Sequence, residues 1–475
     1  MNRKQELAKN TIVLTIGNMS TKIVSFLLVP LYTALLMPEE YGVVDLFNTY
    51  IVLLVPLITW QLENGLFRFM LDDRNNMERN KTIISTVLLA NIGQTVLFCL
   101  VYSVLSRFMS SRYKIFLLID VILNIFQVTL CQALRGLGHN TKYAVSSFIS
   151  SSAVVVFNVI FIAGLHMGAY GMFIGSALAK AMTIVYLIGA AKIWEYFDIR
   201  KFDCALFKKM IAYSAPLVPN QLSWWIVGVS DRTIISSVLG LAANGLYTIA
   251  NKFSSIYILF YNIFNISWTE SVSLHLKDVD GEQYVTETIN QMFNLFAGTC
   301  FGIIACMPFV FPVFINANYA DAYSQIPILM IAVLCQVVVG LYSAIYTALK
   351  KSVEIAKTSF FAAVINLGIN ILLIKSLGLY AASASTLLAY ASMAVYRYFH
   401  LKRYVNVPLH TKTLMLSWAV CAIVVGTYYS GKTFFYVIGF ITAAVYAVAV
   451  NKNFLLDILR TAKMFLDKFW RKVRG

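Results

Sequence analysis

Charge is scarce in this chain, and acid is scarcer than base. Only 13% of the 475 residues are Asp, Glu, Lys or Arg, against about 25% in soluble domains. Too little polarity is available to give each helix of a soluble protein its wet face. Cysteine is sparse and solitary: Cys99, Cys131, Cys204, Cys300, Cys306, Cys335 and Cys421 form no CxxC pair and no Cys/His cluster, which argues against a disulfide framework or a zinc scaffold. Most lie in apolar stretches, where cysteine packs as a small hydrophobe. There is no HExxH, no paired metal-ligand spacing and no nucleophile elbow, and the five histidines (His139, His166, His275, His400, His410) stand alone near loops. Long polar segments are also missing. The connections MPEEY, HMGAY, GLAANG and NANYADA are short, which leaves no room for an attached catalytic domain and argues against an enzyme.

What is present is hydrophobic length. Apolar side chains make up 59% of the chain and the mean hydropathy is +0.72. Runs long enough to cross a bilayer, about 17–25 residues each, recur from 11–37 to 434–450, fourteen in all. A membrane β-barrel would show short alternating segments instead. The chain therefore reads as an all-α polytopic membrane protein with 14 transmembrane helices. The net charge of +16 is explained without nucleic acid: 29 of the bases fall in alternate loops and the termini, and five in the opposite loops. That asymmetry places both termini in the cytoplasm. The first run, from Thr11, is too long for a signal-peptide core and reads as an uncleaved span. The last 23 residues, 453–475, put Leu455, Leu459, Leu466 and Phe469 on one helical face and most of their bases elsewhere, the pattern of an interfacial helix on an anionic leaflet.

A faint duplication runs through the chain. LMPEEYGVVDLFNTY, around the start of the second span, resembles LGLAANGLYTIANKF at the start of the eighth, with Gly42 opposite Gly245. ALRGLGHNTKYAVSSF resembles ALKKSVEIAKTSFF, with Lys142 opposite Lys357. A repeat of six helices keeps its orientation when duplicated, so the two copies form lobes about an axis along the membrane normal, as transporter halves do. The expected division is 1–200 for an N-lobe, 201–405 for a C-lobe, two extra spans in 406–452, and the tail.

Four bases fall inside spans: Lys22, Lys180, Arg232 and Lys252. A charge at bilayer depth costs about 2.5–3.5 kcal/mol on insertion scales and so faces a protein interior or a watery cavity. Together the four are the candidate lining of an anion-binding chamber. The competing reading is snorkelling or pairing with one of the acids, Asp45, Glu63, Asp120, Asp231 and Glu270, most of which lie near span ends. Asp231, Glu63 and Glu270 are the candidates for ion coupling or pairing. Pro30, Pro56, Pro216 and Pro219 each remove a helix hydrogen bond, which makes Pro30, Pro216 and Pro219 candidate hinges. Asn48, Trp60, Gln61, Asn64, Trp225 and Asn251 add aromatic faces and amides of the kind that bind sugars, or belong to interfacial belts. Gly426-x4-Gly431-Lys432-Thr433 spells a phosphate-binding loop, but it joins two spans and lacks the strand that makes that loop work.

On these features the chain resembles the polysaccharide-repeat-unit (Wzx-type, O-antigen or capsule) flippases of the multidrug/oligosaccharidyl-lipid/polysaccharide exporter superfamily. The fourteen-span layout, LMPEEYGVVDLF, GLFRF, ALRGLGHNTKYAVSSF and GAYGMFIGSALA carry the resemblance, which covers essentially the whole sequence. It implies two six-helix lobes related by a pseudo-two-fold, plus two C-terminal helices. It implies alternating access to an undecaprenyl-diphosphate-linked oligosaccharide in a bacterial cytoplasmic membrane, with membrane lipids, a polysaccharide polymerase and chain-length proteins as partners. Related peptidoglycan-precursor flippases seat a prenyl tail in a groove beside the two extra helices, and spans thirteen and fourteen correspond by position. No cofactor is implied beyond coupling to H+ or Na+. Rival readings are a cation-coupled multidrug exporter, disfavoured because the first span carries Lys22 and no acid, a peptidoglycan-precursor flippase, and a membrane polymerase or ligase, which would need a large outer loop.

Overall fold

The computed structural model describes residues 25–72 and 76–452; Lys22 and the amphipathic tail lie outside them. Among the described residues every regular element is a helix. Ten helices among the described residues are long and apolar enough to cross a membrane, so this is a multi-pass membrane protein. In chain order they and their neighbours are α1 (Val29–Leu35), α2 (Pro38–Thr59), α3 (Leu62–Asp72), α4 (Met77–Leu105), α5 (Lys114–Gly136), α6 (Asn140–Asn158), α7 (Gly168–Ala191), α8 (Cys204–Ser214), α9 (Leu217–Val238), α10 (Leu241–His275), α11 (Gly281–Phe314), α12 (Ile326–Ala348), α13 (Ser352–Leu377), α14 (Leu379–Leu401), α15 (Thr411–Tyr428) and α16 (Thr433–Lys452).

Local chemistry sets the ends. Pro38 opens α2, and Glu39 and Glu40 occupy its first turn, where the helix dipole favours acid. Glu40 reaches back to accept the Met37 N–H at 3.2 Å and, with its other oxygen, the Ala169 N–H at 3.2 Å, tying the start of α2 to the start of α7. Asn76 caps α4 and Asp203 caps α8. The stretch Gly426–Thr433 runs from the last turn of α15 through the connection 429–432 to the first residue of α16, with Gly431 at φ +71°.

Two expected single spans are broken. The second stops at Thr59 and restarts at Leu62, with Trp60 at φ 53° and Gln61 at φ 55°. The left-handed conformation costs a non-glycine residue roughly 1–2 kcal/mol; Gln61 is buried there and Trp60 is exposed. The seventh stops at Ser214 and restarts at Leu217, with Pro216 at the junction and Pro219 in the new first turn.

The chain divides into two compact units, Met1–Ile249 and Ala250–Gly475. The sequence expectation put the first boundary at 200/201. It falls later because α8 packs on α3 and α9 packs on α2, drawing the seventh span into the first unit. Two apolar clusters build that unit. One joins Val43, Phe47, Ile51 and Val55 of α2 to Val121 and Ile125 of α5 and Phe173 of α7. The other joins Leu62, Leu66 and Met70 of α3 to Leu130 and Leu134 of α5 and Leu206 and Met210 of α8. The break at 60–61 lies where one cluster gives way to the other.

In the second unit α14 packs on α12 and α13. Arg397, 1% exposed, joins the three: Nε and Nη2 donate to Thr358 Oγ1 at 3.1 and 2.8 Å, and Nη1 donates to the Val339 carbonyl at 2.9 Å and to the Ser343 hydroxyl. The sequence reading counted Arg397 among loop bases. It is a core residue, because α14 continues to Leu401 and carries it inward. Trp268 Nε1 and Tyr257 OH likewise donate to the carbonyls of Leu341 and Phe296, the usual way a buried polar tip is satisfied.

Candidate functional site

The polar groups of the first unit gather where α2, α9 and the start of α10 meet. Arg232 of α9 places Nε 2.7 Å from Asp45 Oδ2 of α2. The Thr248 hydroxyl of α10 donates to the same oxygen at 2.8 Å. Asp231, next to Arg232 but on another face, accepts the Tyr247 hydroxyl at 3.1 Å. Trp225 Nε1 donates to the Thr49 carbonyl at 2.9 Å. The Arg232 guanidinium also lies within electrostatic reach of Asp231 and Tyr247. Backbone contact brings these helices so close. A Cβ on Gly42 would sit 1.9 Å from the Leu241 carbonyl oxygen, and one on Gly245 would sit 2.0 Å from that of Pro38. Asn244 Nδ2 donates to the Gly42 carbonyl at 2.8 Å. The two glycines matched in the faint repeat thus lie against each other.

The expected set of cations is not one open group. Lys180 of α7 pairs with Asp120 of α5 at 3.0 Å, both largely buried, and Arg232 pairs with Asp45. The expectation left pairing open, and for these two the buried carboxylate supplies it, since a charge removed from water needs a partner. Lys252, farther along α10, is half-buried and engaged by neighbours. Lys22 lies outside the described residues. Of the acids, Asp231 and Glu63 are buried and Glu270 is exposed.

The Lys180–Asp120 pair supports a simple test. Lys180→Met or Asp120→Leu alone strands a buried charge and is expected to lower stability by about 3 kcal/mol, whereas the double replacement recovers most of it. Thermal midpoints of the three variants in detergent check this; additive losses would show that the pair carries no coupling.

A second polar group sits at the α2–α3 break. Gln61, 6% exposed, donates through Nε2 to the Leu217 carbonyl at 3.0 Å, so the break in one span rests on the break in the other. Thr59 Oγ1 stands 3.0 Å from both the Val55 carbonyl and Glu63 Oε2, and accepts the Gln61 N–H at 3.2 Å. Sequence reasoning singled out Gln61 and Glu63 but had no signal for Thr59, nor for the bend, since Trp-Gln is no helix breaker. Asp45 stood among the candidate acids, but nothing in the sequence marked it as the partner of Arg232.

The second unit holds an apolar cavity of about 550 Å³ between α11, α12, α14 and α15, lined by Phe293, Leu334, Tyr342, Val395, Leu414 and Trp418 among others.

A model of the family described as polysaccharide biosynthesis protein matches residues 7–268. No curated protein matches the chain. Among solved structures, the lipid II flippase MurJ in an inward closed conformation is similar at 16% identity and TM-score 0.65, over 94% of this chain and 100% of that one. An inward-facing multidrug-resistance MATE transporter of the MOP superfamily gives 16% and 0.64, over 82% and 94%. A MOP-superfamily transporter from Pyrococcus furiosus, described by the reversed polarity of its binding pocket, gives 17% and 0.52, over 83% and 94%. At these identities the likeness shows a shared fold.

Proposed function

This chain belongs to the polysaccharide biosynthesis protein family, and from that membership we propose that it is a flippase. Its substrate is an undecaprenyl-diphosphate-linked oligosaccharide, carried by alternating access from the inner to the outer leaflet of the cytoplasmic membrane. The single observation that carries this reading is the family match, whose residues 7–268 include Asp45, Glu63, Asp231, Arg232 and Lys252. The fold shared with a lipid flippase supports it. The fourteen-span, two-lobe plan with both termini cytoplasmic belongs to the same proposal.

The physical task is to carry a diphosphate and sugars past hydrocarbon, where an unpaired charge is prohibitive. Arg232 meets Asp45 through Nε, and a guanidinium carries five donors, so it can take a diphosphate oxygen by exchanging or sharing its partner. Such exchange holds the anion without trapping it, because Asp45 reclaims the guanidinium on release. Lys22 and Lys252 complete the proposed anion set, and Lys180 is its most tightly committed member. The apolar cavity of the second unit suits a prenyl chain, as spans thirteen and fourteen imply by position.

The test is export of surface polysaccharide in cells that depend on this chain. Arg232→Ala is expected to lower export at least tenfold at unchanged protein abundance. Arg232→Ala with Asp45→Asn separates two roles. If Arg232 serves only to neutralise Asp45, the double variant recovers export; if it binds the diphosphate, export stays low. Normal export by Arg232→Ala and by Lys252→Ala would overturn the anion role. Normal surface polysaccharide in cells lacking the chain would overturn the flippase reading itself.

A further inference from the structure

The connector 192–203 between α7 and α8 carries large apolar side chains that nothing in the first unit covers. α7 is long and apolar enough to cross a membrane and ends at Ala191, so the connector lies at the bilayer surface. Lys192 turns the chain there at φ 51°. A short helix, Ile193–Tyr196, and a single turn, Ile199–Lys201, follow. Ile193 is buried, whereas Trp194 is 63% exposed, Ile199 70% and Phe202 44%. Two hydroxyls of α4 fix the main chain that carries them. Ser85 donates to the Tyr196 carbonyl at 3.0 Å and accepts the Asp198 N–H at 2.9 Å. Thr86 accepts the Asp203 N–H at 3.1 Å. The exposed chains therefore stand on a fixed frame and not on a free tether.

The charges of the same segment are unbalanced once its acids are assigned. Glu195 pairs with Lys192 at 3.1 Å, and Asp198 with Lys81 at 3.8 Å. Lys201 pairs with Glu78 of α4. Asp203 Oδ1 accepts the Ala205 and Leu206 N–H groups at 2.9 and 3.0 Å, at the start of α8. Arg200, Lys208 and Lys209 are exposed and pair with no acid among the described residues. On α8 the buried positions are Leu206, Met210 and Ser214, so Lys208 and Lys209 fall on its other faces.

Unpaired cations beside exposed apolar side chains, at a bilayer surface, fit one partner. A surface facing only water accounts for the bases and leaves Trp194, Ile199 and Phe202 unexplained. An apolar contact with another protein accounts for those three and strips water from cations that have no partner, which is costly. The boundary layer of an anionic membrane satisfies both, because apolar chains enter beside the headgroups while each nearby base gains about 1 kcal/mol. We propose that the connector between α7 and α8 is a binding site for anionic phospholipid. Trp194, Ile199 and Phe202 enter the acyl boundary, and Arg200, Lys208 and Lys209 hold lipid phosphates. α8 buries Leu206 and Met210 in a core cluster with α3 and α5, so lipid held on its exposed side stabilises the first unit by mass action. Nothing in this site depends on what the chain transports.

The experiment uses the full chain in lipid nanodiscs with a fluorophore on Cys204, which is exposed at the start of α8, and the other cysteines replaced by alanine. The discs mix phosphatidylcholine with phosphatidylglycerol, and one lipid or the other carries a nitroxide quencher high on its chain. The ratio of the two quenching constants reads the local lipid preference. The parent is expected to favour phosphatidylglycerol by roughly fivefold or more, fivefold being the factor of one base at about 1 kcal/mol. Arg200→Gln/Lys208→Gln/Lys209→Gln is expected to bring the ratio near unity and to lose the rise in thermal midpoint that phosphatidylglycerol gives the parent. Arg107→Gln/Arg112→Gln, in the loop at the far end of α4, is expected to keep both. Trp194→Ser/Ile199→Ser is expected to weaken quenching by both lipids. Equal quenching by the two lipids in the parent, or a preference that survives the triple replacement, overturns the proposal. A preference lost in the Arg107/Arg112 variant as well overturns it in favour of the chain's overall charge. Unchanged quenching in Trp194→Ser/Ile199→Ser overturns the immersion of the connector. Should the triple variant not fold, Arg200→Gln alone is expected to lower the ratio about fivefold; an unmoved ratio counts against the site.

Discussion

Gly42→Ala is expected to leave little folded protein, while Gly93→Ala at an open position of α4 is expected to fold as well as the parent or slightly better. The two substitutions have the same helix-propensity benefit, about 1 kcal/mol for replacing glycine inside a helix. They differ in what the new methyl group meets. At Gly93 nothing lies within 4 Å. At Gly42 the methyl would stand 1.9 Å from a main-chain oxygen of Leu241 and 2.9 Å from the nitrogen of Gly245. Main chain cannot swing aside as a lysine tip can, so α2 and α10 must part. Parting them strains a packed core, typically by 1–3 kcal/mol and on occasion more, each figure about, and stretches the Asn244 bond to the Gly42 carbonyl. It also separates Arg232 and Thr248 from Asp45. Gly245→Ala is expected to behave alike, because its methyl meets the Pro38 oxygen at 2.0 Å. The double variant should lose less than the sum, since one separation relieves both clashes. Monodisperse yield and thermal midpoint in detergent report all four variants; equal midpoints for Gly42→Ala and Gly93→Ala would contradict the close crossing.

The second large effect belongs to Arg397. Arg397→Ala removes donors from the Val339 carbonyl and from the Thr358 and Ser343 hydroxyls at once. The Val339 carbonyl and the Thr358 hydroxyl keep their bonds to Ser343 and Glu354, so the loss is that of the charge-assisted bonds, about 1.5–3 kcal/mol each, against a total stability of roughly 5–15 kcal/mol for a domain. A collapse of folded yield is the expected outcome. Arg397→Lys is not a rescue, since one ammonium cannot span the acceptors that a planar fork reaches on α12 and α13. Arg403→Ala, exposed beyond the end of α14, provides the comparison and should match the parent. Equal yields for Arg397→Ala and Arg403→Ala would show that the clasp contributes nothing.

Hydropathy made the membrane class and the helical fold legible, because long apolar runs admit few alternatives. The bases within spans were visible for the same reason. Their partners were not. Asp45 and Asp120 lie far in sequence from Arg232 and Lys180, and nothing local marks which acid meets which base. Arg397 was legible in hindsight. Ala389, Met393, Arg397 and Leu401 recur every fourth residue and all four are buried, so the arginine sits on an apolar stripe that a count of loop charges overlooks. The bend at Trp60–Gln61 had no signal, since neither residue favours the left-handed conformation. Gly42 and Gly245 were matched as a repeat, yet their mutual contact is a property of the fold that no comparison of strings contains.

That contact has a mechanical corollary. Where two rods touch through bare main chain, carbonyl ridges interlock and there is no side-chain cushion to shear. Such a joint resists translation and permits rotation. Movement of α2 against the first turns of α10 is then confined to pivoting about Gly42 and Gly245, which act as a fulcrum. Small angular changes there alter the spacing of Asp45 from Arg232 and Thr248, all within the first unit.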